Sequence, residues 1–235
     1  MKWVLNKLPD ESVVQSLVQQ GRDLHPALAR VLALRGIDTQ AKARRYFRNK
    51  IDDLPDPFVM RDMAEGARRL ARAIQDKEII AIHGDYDVDG TTAVALLTAF
   101  LKKQGVSNTC YFVPSRFKDG YGLKRRGIDF AAGRGATLLI AVDCGITGVG
   151  EAQYAKELGL DLVICDHHLP GSGLPDAVAV IDPHRADCPY PNKDIAACTI
   201  AFKLAQATAM HLDQDPHAFH DLLEFVALAL SLIHI

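Results

Sequence analysis

Five short apolar runs, separated by stretches with helical periodicity, dominate the chain from residue 78 onwards. The runs span 78–83, 109–113, 137–142, 162–165 and 177–181, and the helical stretches span 91–103, 123–132, 149–158 and 195–211. Three of the runs are continuously apolar, which is typical of strands buried on both faces of a parallel sheet. The alternation predicts an α/β fold, with a doubly wound, mainly parallel five-stranded sheet and helices on both faces.

The first 75 residues have a different pattern and predict short helices. Apolar residues recur at helical spacing in 25–35, and Asp62 precedes a longer helical pattern with Met63 and Leu70 on one face. We therefore expect a helical N-terminal segment at 1–75 and an α/β domain at 76–235. Residues 1–75 carry 14 Lys and Arg against 9 Asp and Glu, whereas the remainder carries 13 against 20. A basic first third favours a polyanionic partner, although arginines on one helix face are also compatible with simple solvation.

Composition and apolar stretches exclude several classes of protein. With 49% hydrophobic and 24% charged residues, the chain is neither a disordered protein nor a disulfide scaffold. The N-terminal residues contain no signal-peptide core, and the most apolar stretch, 222–235, is shorter than the roughly 20 residues that span a bilayer. The five cysteines form no CxxC pair, which favours buried free thiols in a reducing compartment. We therefore expect a cytoplasmic protein without a membrane partner.

Carboxylates and imidazoles follow three of the predicted strands. HGDYDVDG (83–90) follows the first run, DCG (143–145) the third and DHH (166–168) the fourth. Because the carboxyl ends of parallel strands lie at one edge of a sheet, these loops should bring together five carboxylates and three imidazoles. Unpaired carboxylates at such a density repel one another, and divalent cations relieve that repulsion. The mixture of Asp and His suits Mn²⁺, Fe²⁺ or Zn²⁺ better than Ca²⁺.

Other interpretations of these motifs have less support. The D-x-D-x-D-G spacing resembles the start of an EF-hand loop, but that loop requires a Glu where this chain has Leu96, and a helix upstream rather than a strand. Asp89 alone could cap the helix that follows it. Three aspartates within five residues exceed what one helix cap requires. The chain has no HExxH, P-loop or GxSxG motif, so zinc peptidase, nucleotide-triphosphatase and serine hydrolase functions lack support.

The motifs HGDYDVDG, VDCGIT and CDHH, in that order, resemble the successive motifs of the DHH phosphoesterase superfamily. Within it, the chain most resembles the RecJ family of bacterial single-strand-specific DNA exonucleases. That likeness includes LPDPFVMRDM at 54–63, RFKDGYGL at 116–123 and the IDPH turn at 181–184, and it covers residues 1–230. The resemblance implies a hydrolase that cleaves the phosphodiester bonds of single-stranded DNA from 5′ to 3′ in DNA repair and recombination.

The resemblance also implies a role for each motif residue. The implied metal ligands are Asp87, Asp89, Asp143 and His167, with His83 and Asp85 as further ligands. Asp143 would bridge two Mn²⁺ or Mg²⁺ ions, and His168 would contact the phosphate or protonate the leaving group, with Asp166 orienting the histidines. Arg116 and Lys118 are the candidate contacts to the DNA strand. A single-strand-binding protein and a helicase are the implied protein partners.

One segment departs from the family pattern. The family supplies a further metal-binding Asp from a segment similar to VALGTVADVVPL, whereas this chain reads FVALALSLIHI at 225–235. We therefore expect this chain to be a truncated N-terminal catalytic portion, with the last part of the DHH domain and the following DNA-gripping domain missing, and to have little or no activity alone. Two alternative functions stay open: a DHH phosphodiesterase of short oligonucleotides or cyclic dinucleotides, and a catalytically inactive DNA-binding relative.

Overall fold

The computed structural model describes residues 7–21, 24–48 and 50–233. The chain divides into two compact units, Met1–Leu54 and Pro55–Ile235. The first unit contains the helices α1 (Glu11–Gln20), α2 (Pro26–Leu34) and α3 (Gln40–Phe47), followed by a 3-10 turn at Ile51–Asp53. Its small core consists of Val14, Leu17, Ala29, Leu32 and Ala43. The short N-terminal helices predicted from the sequence are therefore present.

A five-stranded parallel sheet forms the centre of the second unit. Its strands are β1 (Ile80–His83), β2 (Thr109–Phe112), β3 (Leu138–Val142), β4 (Asp161–Cys165) and β5 (Ala179–Ile181). They lie in the order β2-β1-β3-β4-β5, and every neighbouring pair is parallel. Each strand lies inside a predicted apolar run, except that β4 begins one residue before its run. The agreement follows because strands that are covered on both faces must be apolar at successive positions. The predicted fold class is confirmed.

Helices cover both faces of this sheet. The remaining helices of the second unit are α4 (Met63–Gln75), α5 (Val88–Lys103), α6 (Arg125–Gly133), α7 (Val149–Glu157), α8 (Ala197–His211) and α9 (Leu223–Ile233). On one face, Ile80 and Ile82 of β1 share a core with residues of α4, α5, α8 and α9. On the other face, Ala81 shares a second core with residues of α6 and α7. Alternate residues of one strand thus enter two separate cores, as the period of two along a strand requires.

The strand order places a crevice next to the candidate site loops. The chain leaves β1 for a helix on one face of the sheet and leaves β3 for a helix on the other face. Since β1 and β3 are neighbours, their carboxyl ends flank the point where the winding direction reverses. Ligands of doubly wound folds bind at this point.

Helix α4 lies within the second compact unit, whereas the sequence pattern predicts it as part of the N-terminal segment 1–75. Met63, Ala67 and Leu70 of this helix are fully buried in the larger core. A Cβ on Gly66 would lie only 2.8 Å from Cδ1 of Ile181 in β5, so the helix backbone approaches the sheet closely. The division between the compact units falls after Leu54, ahead of this helix.

Two further predictions concern the whole chain. All five cysteines are free thiols, and four of them are buried. Among the helices in the part of the chain that the structure describes, none combines the length and the apolar character needed to cross a lipid bilayer.

Candidate metal centre

The loop from β1 into α5 contributes three of the predicted carboxylates. Asp87 is exposed and caps α5, because its Oδ1 accepts a hydrogen bond from the backbone N–H of Gly90 at 3.0 Å. Asp85 and Asp89 lie on either side of it, and each is 1% exposed. Burial raises the pKa of Asp85, since the low-dielectric surroundings disfavour its charge. Two buried carboxyl groups therefore border one accessible carboxylate.

Asp89 caps a different helix from the one that contains it. Its two carboxylate oxygens accept hydrogen bonds from the backbone N–H groups of Ala197 and Cys198, each at 2.8 Å, at the first turn of α8. The N-cap of α8 is Ala196, whose side chain cannot accept these donors, so Asp89 satisfies them instead. Burial raises the pKa of Asp89, and the two backbone donors oppose that increase.

Asp143 follows β3 in a strained backbone conformation. Its φ is 60°, in the left-handed region that few residues other than glycine adopt, and its N–H bonds to the carbonyl oxygen of Cys165 at 2.9 Å. The side chain is buried, and its Oδ1 has no hydrogen-bond partner among the described residues. Burial, together with the nearby Asp89 and Asp87 carboxylates, raises the pKa of Asp143. Nε2 of His167 lies 3.3 Å from Oδ1 of Asp143 without forming a hydrogen bond to it, so the buried Oδ1 keeps its acceptor capacity for a cation.

The ring of His167 is oriented by a backbone hydrogen bond. Its Nδ1 lies 2.9 Å from the carbonyl oxygen of Ile195, which can only accept, so Nδ1 carries a proton. Nε2 then faces the carboxylates, 3.3 Å from Oδ1 of Asp143 and 3.6 Å from Oδ2 of Asp89. This is the usual arrangement of a metal-binding histidine, in which the second nitrogen fixes the tautomer.

The charge on the His167 ring follows from the same neighbours. Burial lowers its pKa, but Asp143 and Asp89 outweigh that effect and raise the pKa to about 9. With no cation present, the ring therefore holds a proton between the carboxylates. A divalent cation would displace this proton, because histidine binds metal through a neutral nitrogen.

Asp166 organises the third loop from a buried position. Its carboxylate accepts the backbone N–H groups of Ile146 at 2.9 Å, His167 at 2.7 Å and His168 at 3.2 Å, and it accepts Nδ1–H of His168 at 2.7 Å. Although burial alone would raise the pKa of Asp166, these donors lower it below its usual value, so the group stays ionised. The charge of Asp166 in turn raises the pKa of His168.

Among the described residues, the potential ligand atoms form two groups that have one member in common. Asp85, Asp87 and Asp143 form one group, and Asp143, His167 and His168 form the other, with the potential ligand atoms of each group within 4.8 Å of one another. Oδ1 of Asp85 and Oδ1 of Asp143 are both buried without a hydrogen-bond partner among the described residues. The donor set of carboxylates and imidazole suits Mn²⁺. The residues present therefore fit a divalent cation centre around Asp143.

His83 lies apart from these two groups. Its side chain lies on the same face of β1 as that of Ala81, so the ring enters the core under α6. A Cβ on Gly127 of α6 would lie 2.2 Å from Cδ2 of this ring. Its Nε2 accepts the backbone N–H of Lys124 at 3.4 Å, and its Nδ1 lies 3.6 Å from Sγ of Cys144. Burial lowers the pKa of His83 to about 4, so the ring is neutral. A role for His83 as a metal ligand stays a prediction.

The candidate DNA contacts Arg116 and Lys118 lie in the loop after β2, and both are exposed. The guanidinium of Arg116 stacks over the ring of Tyr86, 4.6 Å from its centre, and so reaches the loop that contains Asp85 and Asp87. Lys118 donates its backbone N–H to the carbonyl oxygen of Ser115 within a tight turn. Of the two cations, the structure brings Arg116 to the site loops.

Sequence reasoning missed Tyr121 as a site residue. Its hydroxyl lies 2.8 Å from Nε2 of His168 and 3.0 Å from Nδ1, the nitrogen that is bonded to Asp166. Tyr121 belongs to the RFKDGYGL stretch, which is part of the family resemblance. That stretch contains other candidate site residues, and the sequence does not indicate which side chain the tyrosine would contact.

Asp182 was also missed. It directly follows β5 and is fully buried, with Oδ1 accepting the N–H of His184 at 2.7 Å and Oδ2 without a partner among the described residues. Burial raises the pKa of Asp182 to about 7. The signal was present in the sequence, since Asp182 follows a predicted strand just as Asp143 and Asp166 do.

A family model matches the part of the chain that contains the sheet and all three site loops. Residues 79–230 match the model described as the DHH family, N-terminal domain. The chain belongs to the DHH family. The membership that the three motifs predicted is therefore confirmed.

Relatives of this DHH-family chain include exonucleases and metal-bound structures. The chain is 43% identical over 209 residues to the single-stranded-DNA-specific exonuclease RecJ of Bacillus subtilis (strain 168), over 88% of this chain and 26% of that protein. It is similar to a crystal structure of exonuclease RecJ bound to manganese, with 29% identity, a TM-score of 0.63, and coverage of 72% and 42% of the two chains. It is also similar to RecJ from Thermus thermophilus in complex with Mn²⁺, with 25% identity, a TM-score of 0.71, and coverage of 92% and 30%. This chain thus spans between 26% and 42% of the length of these three relatives.

Proposed function

We propose that this chain carries the metal-dependent catalytic centre of a single-strand-specific DNA exonuclease that digests from 5′ to 3′. The relative from Bacillus subtilis has this substrate specificity in its name, and the two similar RecJ structures hold manganese. The observation that carries the proposal is the pair of ligand groups that meet at Asp143, each with a buried carboxylate oxygen that accepts no hydrogen bond from the described residues.

The residues that would hold two Mn²⁺ or Mg²⁺ ions are Asp85, Asp87, Asp143 and His167, with Asp143 common to both. Divalent cations at such a centre supply a hydroxide nucleophile at neutral pH and neutralise charge on the phosphodiester oxygens. Asp89 lies close to His167, and both of its carboxylate oxygens already accept hydrogen bonds from α8. It would therefore bind a cation only through the lone pairs that these two hydrogen bonds leave free.

The chain's own residues would supply the proton and the orientation that cleavage requires. The ionised Asp166 binds Nδ1–H of His168 and thereby fixes the ring with Nε2 next to the Tyr121 hydroxyl. His168 is 42% exposed in its side chain, which leaves it accessible to a substrate. We infer that Nε2 of His168 donates a proton to the leaving oxygen, and that Arg116 binds a phosphate near Tyr86.

The cellular setting is also part of this proposal. We place the protein in DNA repair and recombination in the cytoplasm, with a single-strand-binding protein and a helicase as partners. Five free cysteines fit a reducing compartment. An enzyme that digests one DNA strand fits a helicase, which exposes single strands, and a single-strand-binding protein, which coats them.

A chimera would test the catalytic centre in a chain of full family length. Residues 79–230 of this chain would replace the aligned segment of the Bacillus subtilis relative, and single-stranded 20-mers labelled at either end would be incubated with Mn²⁺. We expect stepwise release of mononucleotides from the 5′ end, and loss of release in the same chimera with Asp143→Asn. Tetranucleotides and a cyclic dinucleotide would serve as competing substrates. A folded chimera that binds Mn²⁺ but prefers these short substrates, or cleaves nothing, would contradict the proposal.

A further inference from the structure

The helix α3 and the residues that follow it form the most basic part of the first compact unit. Residues 40–50 contain five basic residues and no acidic one. Lys42 pairs with Asp38 at 2.8 Å, whereas Arg44, Arg45 and Arg48 form no ion pair with any residue that the structure describes. All three arginines are exposed. Their charges are therefore available to a ligand.

Two grooves run beside these arginines. One, of about 520 Å³, is lined by Gln40, Ala41, Arg44, Arg45, Arg48, Lys50 and Asp53. The other, of about 470 Å³, is lined by Gln20, Gly21, Leu24, Gln40, Ala43, Arg44, Phe47 and Arg48. Arg44 and Arg48 line both grooves because residues four apart lie on the same face of a helix. The first groove contains four cations and one carboxylate, and is thus complementary to an anionic chain.

The second groove adds an aromatic wall. Phe47 lines it and is 56% exposed, and Tyr46, which is 48% exposed, packs edge-on against Phe47 with 5.2 Å between the ring centres. Leu24 supplies a further apolar contact in the same groove. Cations next to exposed aromatic rings are the combination with which proteins bind single-stranded nucleic acid, since arginines contact phosphates and rings stack on bases. An acidic peptide would use the charges but not the aromatic wall.

The grooves are held by contacts that do not involve the arginines. The side-chain amide of Gln40 donates a hydrogen bond to the backbone carbonyl of Gln20 at the end of α1. Ala43 packs in the small core of the unit. The arginines can therefore be replaced without removing a core contact.

We propose that the grooves beside α3 bind single-stranded DNA, with phosphates on Arg44 and Arg48 and a base against Phe47. The choice of DNA as the strand rests on the proposed function, whereas the charge and the aromatic wall are properties of the first unit alone. The residues that line the two grooves all belong to the first unit, so the site is additional to the metal centre and to Arg116.

Fluorescence anisotropy with a labelled oligothymidylate of 15 nucleotides tests this site. The buffer contains EDTA, so no divalent cation is available for hydrolysis. We compare the full chain with Arg44→Glu/Arg48→Glu and with the control Arg68→Glu/Lys102→Glu, which makes the same change in net charge on exposed positions of α4 and α5. We expect at least a tenfold loss of affinity for the first variant and less than threefold for the control. The slope of log K against log salt concentration should fall by about 1.4 in the first variant, because each phosphate contact to a single strand contributes about 0.7. Equal losses in both variants, or no binding by the unaltered chain, would overturn the proposal.

Phe47→Ala separates base stacking from charge. We expect roughly a fivefold or greater loss of affinity without a change in salt slope, since stacking on an aromatic ring involves no counterion. A duplex of the same sequence or a polyglutamate peptide that binds as tightly as the oligothymidylate would assign the grooves to other anions and overturn the proposal. The chimera described above does not contain α3 of this chain. Failure of the catalytic centre and failure of the grooves are therefore measured independently.

Discussion

Asp89 at the start of α5 accepts a hydrogen bond from the backbone N–H of Cys198 at the start of α8, with 2.8 Å between the two atoms and 109 positions between the residues. The same carboxylate lies 3.6 Å from Nε2 of His167. One buried group thus joins two core helices and borders the candidate metal centre. A substitution at Asp89 must therefore affect stability as well as metal binding.

Asp89→Ala should destabilise the metal-free chain much more than Asp87→Ala. The first change leaves two buried N–H groups of α8 without an acceptor, at a cost of about 2–4 kcal/mol, whereas loss of the exposed cap of α5 costs about 1 kcal/mol. Urea denaturation of both variants in EDTA measures the free energies of unfolding. Asp89→Asn, which keeps one acceptor oxygen, should give an intermediate value. Equal losses for the two alanine variants would mean that the bonds to α8 contribute little.

The two adjacent histidines should respond differently to removal of their rings. His167→Ala should weaken Mn²⁺ binding, because Nε2 of His167 faces Asp143 at 3.3 Å. His168→Ala should lower the rate of hydrolysis far more than Mn²⁺ affinity, because His168 is bonded to Asp166 and Tyr121. Calorimetric Mn²⁺ titration of the chain, and nucleotide release by the chimera, give the two quantities. Equal losses of Mn²⁺ affinity would show that both rings bind the cation.

Tyr121→Phe should reduce hydrolysis without affecting the metal. The hydroxyl that is lost lies 2.8 Å from Nε2 of His168, and a hydrogen bond of this kind contributes about 0.5–1.5 kcal/mol, or roughly twofold to tenfold in rate. Tyr111→Phe, at an exposed position of β2, is the matched control. A reduced Mn²⁺ affinity in Tyr121→Phe would point to disruption of the site instead.

Lys203 in α8 should make stability depend on pH in the alkaline range. The residue is 2% exposed, and its ammonium group donates to the carbonyl oxygen of Pro55 at 2.8 Å. Burial lowers the pKa of Lys203 from 10.5 to about 8, against the opposing charge of Asp56. Between these two values the unfolded chain holds a proton that the folded chain has lost, so the free energy of unfolding rises with pH.

The expected rise between pH 8 and pH 10.5 is on the order of 2–3 kcal/mol relative to Lys203→Met. Chemical denaturation of both proteins across this range gives the difference, in which the titration of other groups cancels. A difference that stays constant with pH would show that the ammonium group is adequately solvated in the folded chain.

Local patterns were sufficient to predict the strands and the helices that follow them. The apolar run 137–142 contains β3, Leu138–Val142, because a strand covered on both faces has no position for a polar side chain. The prediction for α5 began at residue 91, whereas the helix begins at Val88. The N-cap of this helix is Asp87. The sequence alone could not identify that cap, because three aspartates within five residues are all possible N-caps.

The domain limits and several contacts could not be obtained in this way. Helix α4 has the amphipathic pattern of a surface helix, which gives no sign of the sheet that it covers. The pattern around His83 placed it in a motif of metal ligands, but its ring lies under α6, with Gly127 against it. Both depend on which element packs on which face of the sheet.

The sequence by itself determined the fold class and the chemistry at the sheet edge, since strand ends and their polar residues follow from periodicity along the chain. Only the tertiary structure decided which atoms meet: Asp89 with α8, Tyr121 with His168, and Nδ1 of His167 with Ile195. The physical reason is that periodicity reports the burial of each side chain, which is a local property. The partner of a buried polar group is set instead by the need to satisfy its hydrogen bonds, and the groups that do so come from elements distant in the chain.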